Sequence, residues 1–258
     1  MISVVKIGGN VVDNPLMLKE FIHNFASMDG KRVLVHGGGV MASQMQKAMG
    51  MTPVMIQGRR VTDEQTLKVV TMVYAGWCNK NITALLQAEG CNAIGLSGAD
   101  ANAICASKRP PVDIDGQMVD YGFVGDVKPE GVNGEFLKSL LDKGIVPVLC
   151  AINHDGQGNL LNTNADTIAS SVAIALGEDV ELIYCFEKDG VLADKDDDSS
   201  VIPHITESEF KTLKEDGIIA DGMIPKLQNA FKAINAGVSK VTIKHARNLL
   251  SSIGTTLE

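Results

Sequence analysis

The chain has 258 residues, enough for one large domain or two fused lobes with a sizeable core. Hydrophobic residues make up 45% and charged residues 21%, and the 26 glycines follow no period, which excludes a disordered or collagen-like chain. Lys and Arg number 23 against 31 Asp and Glu, so the net charge is −8; this argues against a general nucleic-acid binder and leaves room for a local basic pocket.

In chain order, Val4–Ile7 reads as a short β-branched strand that ends at Gly8-Gly9. A turn at Asp13-Asn14 precedes a helix over Pro15–Met28. Lys31–Val35 is a second strand, followed by His36-Gly37-Gly38-Gly39 and a helix over Val40–Met49 closed by Gly50. Thr52–Arg60 reads as an extended hairpin, and Thr62-x-x-Gln65 as a capping box for a long helix from about Asp63 to Ala88. Cys91–Leu96 is a third strand. Residues 103–128, with Pro110-Pro111, Asp115-Gly116 and Gly122, read as antiparallel hairpins on a sheet edge.

Glu135–Asp142 reads as a helix, Ile145–Ile152 as a buried strand and Asn162–Leu176 as a helix. Glu181–Phe186 is a strand, and Glu187–Ser200 a polar loop whose Asp196-Asp197-Asp198 run forms a solvated tip. Thr206-x-x-Glu209 is a second capping box, opening a helix to about Asp216. Lys226–Ala236 is helical and Lys240–Lys244 a last strand. This alternation predicts an α/β fold, a three-layer αβα sandwich with a mainly parallel central sheet. A soft lobe boundary falls near Gly177.

Cys78, Cys91, Cys105, Cys150 and Cys185 are odd in number and widely spaced in apolar surroundings, which suits reduced buried thiols in the cytoplasm. Lys6 and Gly8-Gly9 interrupt the start where a signal peptide needs an apolar region, and no apolar run reaches membrane-spanning length.

Two glycine clusters, Gly8-Gly9 and Gly37-Gly38-Gly39, follow two early strands, where backbone N–H groups and a helix dipole can hold an anion. No dinucleotide fingerprint, P-loop or His-Glu-x-x-His motif is present, and the five histidines are scattered. Lys6 interrupts an apolar strand. It is either a snorkelling lysine at a strand end or a phosphate-binding cation at the sheet's carboxyl edge. Pro225-Lys226 opens a helix. Asn164 and Asp166 suit a helix start, but capping needs no second asparagine at Asn162. Arg60 is a candidate fork for a carboxylate, with Arg59 as the alternative.

Lys6-Ile-Gly-Gly9, His36-Gly-Gly-Gly39, Gly58-Arg-Arg-Val-Thr62, Gly95-Leu-Ser-Gly98, Asn162-Thr-Asn-Ala-Asp166 and Gly217-Ile-Ile-Ala-Asp-Gly-Met-Ile-Pro-Lys226 occur in the order seen in acetylglutamate kinases. Over essentially its whole length the chain resembles that branch of the amino acid kinase superfamily. The resemblance implies transfer of the γ-phosphate of ATP, with Mg2+, to the side-chain carboxylate of an N-acyl-L-glutamate on the route to arginine. It implies that Lys6 and Lys226 stabilise the transferring phosphoryl group and that Asp166 holds the two lysines. Gly38, Gly39, Arg60, Asn162 and Asn164 would bind the acylglutamate in a lobe over about 1–176. Gly8, Gly9, Glu187, Lys188, Asp189, Gly190, Val191, Leu192, Ile218, Ile219 and Ala220 would bind ATP, mostly from a lobe over about 177–258.

No metal-binding protein residue is implied, since magnesium would arrive on ATP. A carboxylate acceptor is already ionised at neutral pH, so no general base is needed, in keeping with the lack of a histidine among these residues. A start directly at the first strand implies a homodimer without the N-terminal helix of arginine-inhibited relatives. No nucleic-acid or membrane partner is expected. Sibling kinases that take carbamate, aspartate, a nucleoside monophosphate, N-succinylglutamate or an acylaminoadipate share the glycine loops. A non-catalytic sensor on the same fold is the remaining alternative, with both lysines arguing against it.

Overall fold

A run of Val and Ile with both faces apolar belongs inside a parallel sheet, and Ile2–Ile7 takes that place. In the computed structural model, which describes residues 1–194, 196–219 and 223–258, this strand sits near the middle of an eight-stranded sheet. The strand order is His204–Ile205, Thr255–Leu257, Lys240–His245, Val180–Phe186, Ile2–Ile7, Lys31–His36, Val146–Cys150 and Ala93–Leu96. Neighbours are parallel except Lys240–His245 and Thr255–Leu257, which run antiparallel. Val4, Val5, Val33, Leu34, Val148 and Leu149 are fully buried, so adjacent residues on both faces of the sheet are core.

Helices cover the sheet on both faces, as expected of a three-layer α/β fold. Ala165–Leu176 packs on Ile2–Ile7 and Val180–Phe186 and is flanked by Gly134–Asp142 and Met223–Asn235. Pro15–Ala26 packs on Asn79–Ala88, which lies against Ala93–Leu96 and Val146–Cys150. The expected long helix is present as Glu64–Thr71 and Asn79–Ala88, joined by a π-helical stretch over Met72–Cys78. No helix among the described residues is long and apolar enough to cross a membrane.

Several local expectations are corrected. Residues 103–128 do not lie on the edge of the main sheet. Ser107–Lys108 and Val124–Asp126 join Ile152–His154 and Leu160–Thr163 in a separate four-stranded sheet, and Val112–Ile114 pairs with Gln117–Val119. Asn162 lies on a strand, not on a helix. The helix starts at Ala165 because the Asn164 side chain accepts from the N–H groups of Asp166 and Thr167, at 2.9 and 3.1 Å. Asp63, not Thr62, caps the long helix, accepting from Thr66 N–H at 2.7 Å. A five-residue helix, Gly9–Asp13, precedes the turn at Asn14. The capping box of Thr206 and Glu209 forms as expected. Cys78, Cys91, Cys150 and Cys185 are buried, Cys105 is half-buried, and all five are unpaired.

Candidate active site

The carboxyl ends of the parallel strands put both glycine clusters on one side of the sheet. Lys6 is the penultimate residue of its strand, and its side chain points to the start of helix Ala165–Leu176. There its Nζ lies 2.7 Å from Asp166 Oδ1, with the two side chains only 10% and 14% exposed. The phenyl ring of Phe186, on the neighbouring strand, lies beneath two cations. Lys6 Nζ is 5.1 Å from the ring centroid and Lys226 Nζ 4.8 Å. Tyr184 is the register partner of Lys6, and its hydroxyl donates to the Asp166 carbonyl at 3.2 Å. One strand therefore supports all three charged groups.

These residues open onto a cavity of about 460 Å³ lined by Gly8 and Gly9, by Gly37 to Gly39, and by Lys6, Lys226 and Glu187. The Asn10 amide donates to the Glu187 carboxylate across its mouth. Backbone amides, two ammonium groups and a helix start fit a polyphosphate.

A second cavity of about 220 Å³ adjoins the first and shares Gly37 to Gly39, Met55, Arg60 and Ala165 with it. Arg60 is buried, and its guanidinium donates to the Gly39 carbonyl and the Ser43 hydroxyl, each at 2.8 Å, and to Gln46 Oε1. Gln46 is held in turn by donating to Thr66 Oγ1 at 3.0 Å. The Asn162 amide donates to Thr62 Oγ1 at 3.0 Å, tying the small sheet to the start of the long helix. Asn164 and Thr163 also line this cavity.

The Gly37–Gly39 loop is fixed from behind. A Cβ at Gly38 would lie 2.9 Å from the Tyr74 ring and 3.0 Å from Cys78 Sγ, so only glycine fits against the π-helical stretch. His36 is fully buried, with Nδ1 2.7 Å from the Gly37 carbonyl, while the Asn79 amide meets its Nε2 at 3.1 Å. Burial pushes the imidazole down to about 4, so it is neutral at pH 7 and donates to Gly37.

A third cavity, of about 590 Å³, lies between the loop after Phe186 and the stretch before the helix of Lys226. Lys188, Gly190, Val191, Leu192, Ile218 and Ile219 line it. Glu187 belongs instead to the cavity with the two lysines. Asp189 lines none of the three. Its carboxylate accepts from Asn248 Nδ2 at 2.8 Å and from the Arg247 guanidinium at 3.2 Å, which closes the loop onto the turn after the strand Lys240–His245. Ala220 lies outside the described residues, as do Asp221 and Gly222.

The sequence reading missed Thr62, Ser43, Gln46, Tyr74 and Arg109. Thr62 reads as a helix cap in the sequence; Ser43, Gln46 and Tyr74 carry no local signal, because they reach the site only by packing. Among the described residues, no group of three His, Cys, Asp or Glu side chains is placed to hold a metal ion.

The model of the amino acid kinase family matches residues 1–245. The chain is 52% identical over 259 aligned residues to a protein of Bacteroides thetaiotaomicron named acetylglutamate kinase, covering 100% of this chain and 98% of that one. A protein of the same name from Methanopyrus kandleri is 42% identical over 98% of both chains. Among solved structures, carbamate kinase from Giardia lamblia bound to AMP-PNP superposes with a TM-score of 0.70, at 17% identity, over 99% of this chain and 97% of that one, a likeness of fold.

Proposed function

This chain belongs to the amino acid kinase family, and from that premise we propose that it transfers the γ-phosphoryl group of ATP to the side-chain carboxylate of an N-acyl-L-glutamate such as N-acetyl-L-glutamate. The products are the acyl phosphate and ADP. The relatives named acetylglutamate kinase support this choice of acceptor. The observation that carries it is the placement of Lys6 and Lys226 together, 5.1 and 4.8 Å from the Phe186 ring centroid, on a cavity that shares the Gly37–Gly39 loop with the cavity of Arg60.

In this reading the triphosphate lies in the cavity with the two lysines, and its adenosine end in the cavity between Leu192 and Ile218. The acceptor lies in the cavity with Arg60. Its γ-carboxylate faces the terminal phosphoryl group across the glycine loop. The Gly38 and Gly39 amides, Asn162 and Arg60 hold the acceptor, and Asn164 fixes the helix start beside it.

Lys6 and Lys226 cancel the charge that builds up when one anion attacks another. The carboxylate is already the nucleophile, so no side chain has to take its proton. Asp166 fixes the Lys6 ammonium before substrate binds. Glu187 is the one carboxylate on that cavity wall among the described residues and would be the side chain available to a magnesium ion brought by the triphosphate. When bound, the ion would screen the phosphate charge.

By this reading the acceptor side is the lobe over about 1–176 and the nucleotide side about 177–258. The five unpaired thiols favour the cytoplasm. A homodimer fits the sheet edge at Ala93–Leu96, where Ile94 is exposed beside the helix Asn79–Ala88; the π-helical stretch that leads into this helix exposes Met72 and Trp77. The deciding experiment is incubation with MgATP, N-acetyl-L-glutamate and hydroxylamine. Acyl hydroxamate should form in step with ADP. ADP without hydroxamate, or neither product, overturns the proposal.

A further inference from the structure

The acceptor cavity carries more positive charge than an N-acetylated glutamate can match. Three guanidinium groups line it, those of Arg59, Arg60 and Arg109, and no Asp or Glu side chain does so among the described residues. Arg60 makes its described bonds to neutral oxygens of Gly39, Ser43 and Gln46, so its charge is available to a ligand. Arg109 is held from behind by Asp126, whose two oxygens accept from its Nε at 3.1 and 3.2 Å, with a further bond from Nη2.

Arg59 adds a second cation beside Arg109. Partial desolvation and the charge of Arg109 both work against its ionised form, and Asp126 offsets them only in part. One carboxylate thus serves two guanidinium groups on this wall. With Arg60, the cavity is left with an excess of about two positive charges by simple formal counting.

The proposed reaction fixes what can match that excess. The γ-carboxylate of the acceptor is spent at the lysines, and its α-carboxylate matches Arg60. An acetyl group brings nothing for the Arg59 and Arg109 wall. Arg59 and Arg109 line the acceptor cavity and not the phosphate one, with Met55, Val124 and the ring of Tyr74 on the same cavity wall. Methylene groups fit those apolar walls, and a terminal carboxylate fits the planar forks beyond them.

We propose that the cavity is shaped for an N-acyl-L-glutamate whose acyl chain ends in its own carboxylate, as an N-succinyl group does, and that Arg59 and Arg109 select it over the N-acetyl compound. The inference rests on the kinase reading above and names the acceptor within it. Replacing acetyl by succinyl adds one methylene and one carboxylate, and the phosphoryl transfer is unchanged: the γ-carboxylate oxygen bonds to phosphorus as the bond to ADP breaks. Arg59 is exposed, so solvent screening limits the selectivity to a modest factor rather than the thousands seen for fully buried polar sites.

The test compares three acceptors in the hydroxamate assay: N-acetyl-L-glutamate, N-succinyl-L-glutamate and the uncharged terminal amide of the succinyl compound. The expected result is a kcat/KM for the succinyl compound about 10- to 100-fold above acetyl, mostly through KM, with the amide close to acetyl. Arg59→Gln should lower the succinyl-to-acetyl ratio toward one. Arg109→Gln should do the same, and because it strips Asp126 of its partner, the exposed Arg59 variant is the one that guards against misfolding. If acetyl is phosphorylated at least as well as succinyl, or if the amide matches the succinyl compound, the inference falls and the kinase reading stands. If Arg59→Gln lowers both acceptors equally, the selectivity does not come from this wall. If no acceptor is phosphorylated, the kinase reading itself falls.

Discussion

Lys6 Nζ and Asp166 Oδ1 lie 2.7 Å apart, joining the end of the first strand to the first turn of a helix that follows the small sheet. Helix capping alone does not call for this arrangement. Asn164 already satisfies the helix start, and Asp166 spends its carboxylate on a lysine that faces the phosphate cavity.

Asp166→Asn should therefore lose most of its turnover at saturating ATP and acceptor, while the melting temperature moves by only a few degrees, in line with about 1 kcal/mol or less of helix-dipole and pairing energy. Steady-state kinetics and calorimetry on the same preparation check this. Unimpaired turnover would leave Asp166 as a helix-start residue, and a collapse of the melting transition would make it part of the structural core.

Lys226→Ala should reduce kcat by on the order of 10²–10³, by analogy with the loss of one oxyanion-hole donor. Lys6→Ala should show a similar kinetic loss and also be destabilised by about 1–3 kcal/mol, because it leaves a largely buried carboxylate without its cation. Chemical denaturation of the Lys6 variant reads the second loss. Normal turnover in either folded protein would remove that lysine from the reaction.

Arg60→Lys should raise the acceptor KM by roughly tenfold or more with little change in the ATP KM. An ammonium cannot reach Gly39, Ser43 and Gln46 together while offering a planar fork to a carboxylate. Titration of each substrate at saturation of the other reads this. An unchanged acceptor KM would show that the carboxylate is held elsewhere.

Acid should unlock the glycine loop through His36. Its folded pKa, about 4, lies below the ordinary 6.5, so on acidification the unfolded chain takes up the proton first. The stability held by the neutral ring is complete above about pH 6.5 and is lost as pH falls toward 4, to a total on the order of 3 kcal/mol. Denaturation midpoints at pH 7 and pH 4.5 should differ more in the native protein than in His36→Gln. Equal differences would show that the ring does not carry the effect.

Much of the site is legible in the sequence because its main devices are local. A lysine before two glycines, a second triple glycine after the next strand, and Asn164 two residues before Asp166 each stand out within a few residues of sequence. What the sequence hides is non-local. Asn162 reads as the start of a helix, yet it is drawn into a strand by parallel pairing with Val124 and bonds Thr62 across 100 residues. Asp189 sits among residues that line the nucleotide-side cavity but turns away to Arg247 and Asn248, a pairing set by how the chain ends pack. His204–Ile205 and Thr255–Leu257 are too short to stand out until they pair with each other at the sheet edge.

The short hairpin of Met55–Ile56 and Arg59–Arg60 has a consequence for how such an enzyme can diversify. Its arginines, with Arg109 and Val124 from the small sheet, make up the wall that meets the variable part of a ligand. Lys6, Lys226 and the first glycine pair stand on the main sheet and the helix opened near Pro225, and they do not line that wall. Substitutions at Arg59 can therefore retune which molecule is accepted without disturbing the charges that move phosphate. Met55, Arg60, Ala165 and the Gly37–Gly39 loop line both cavities and are bound to both tasks.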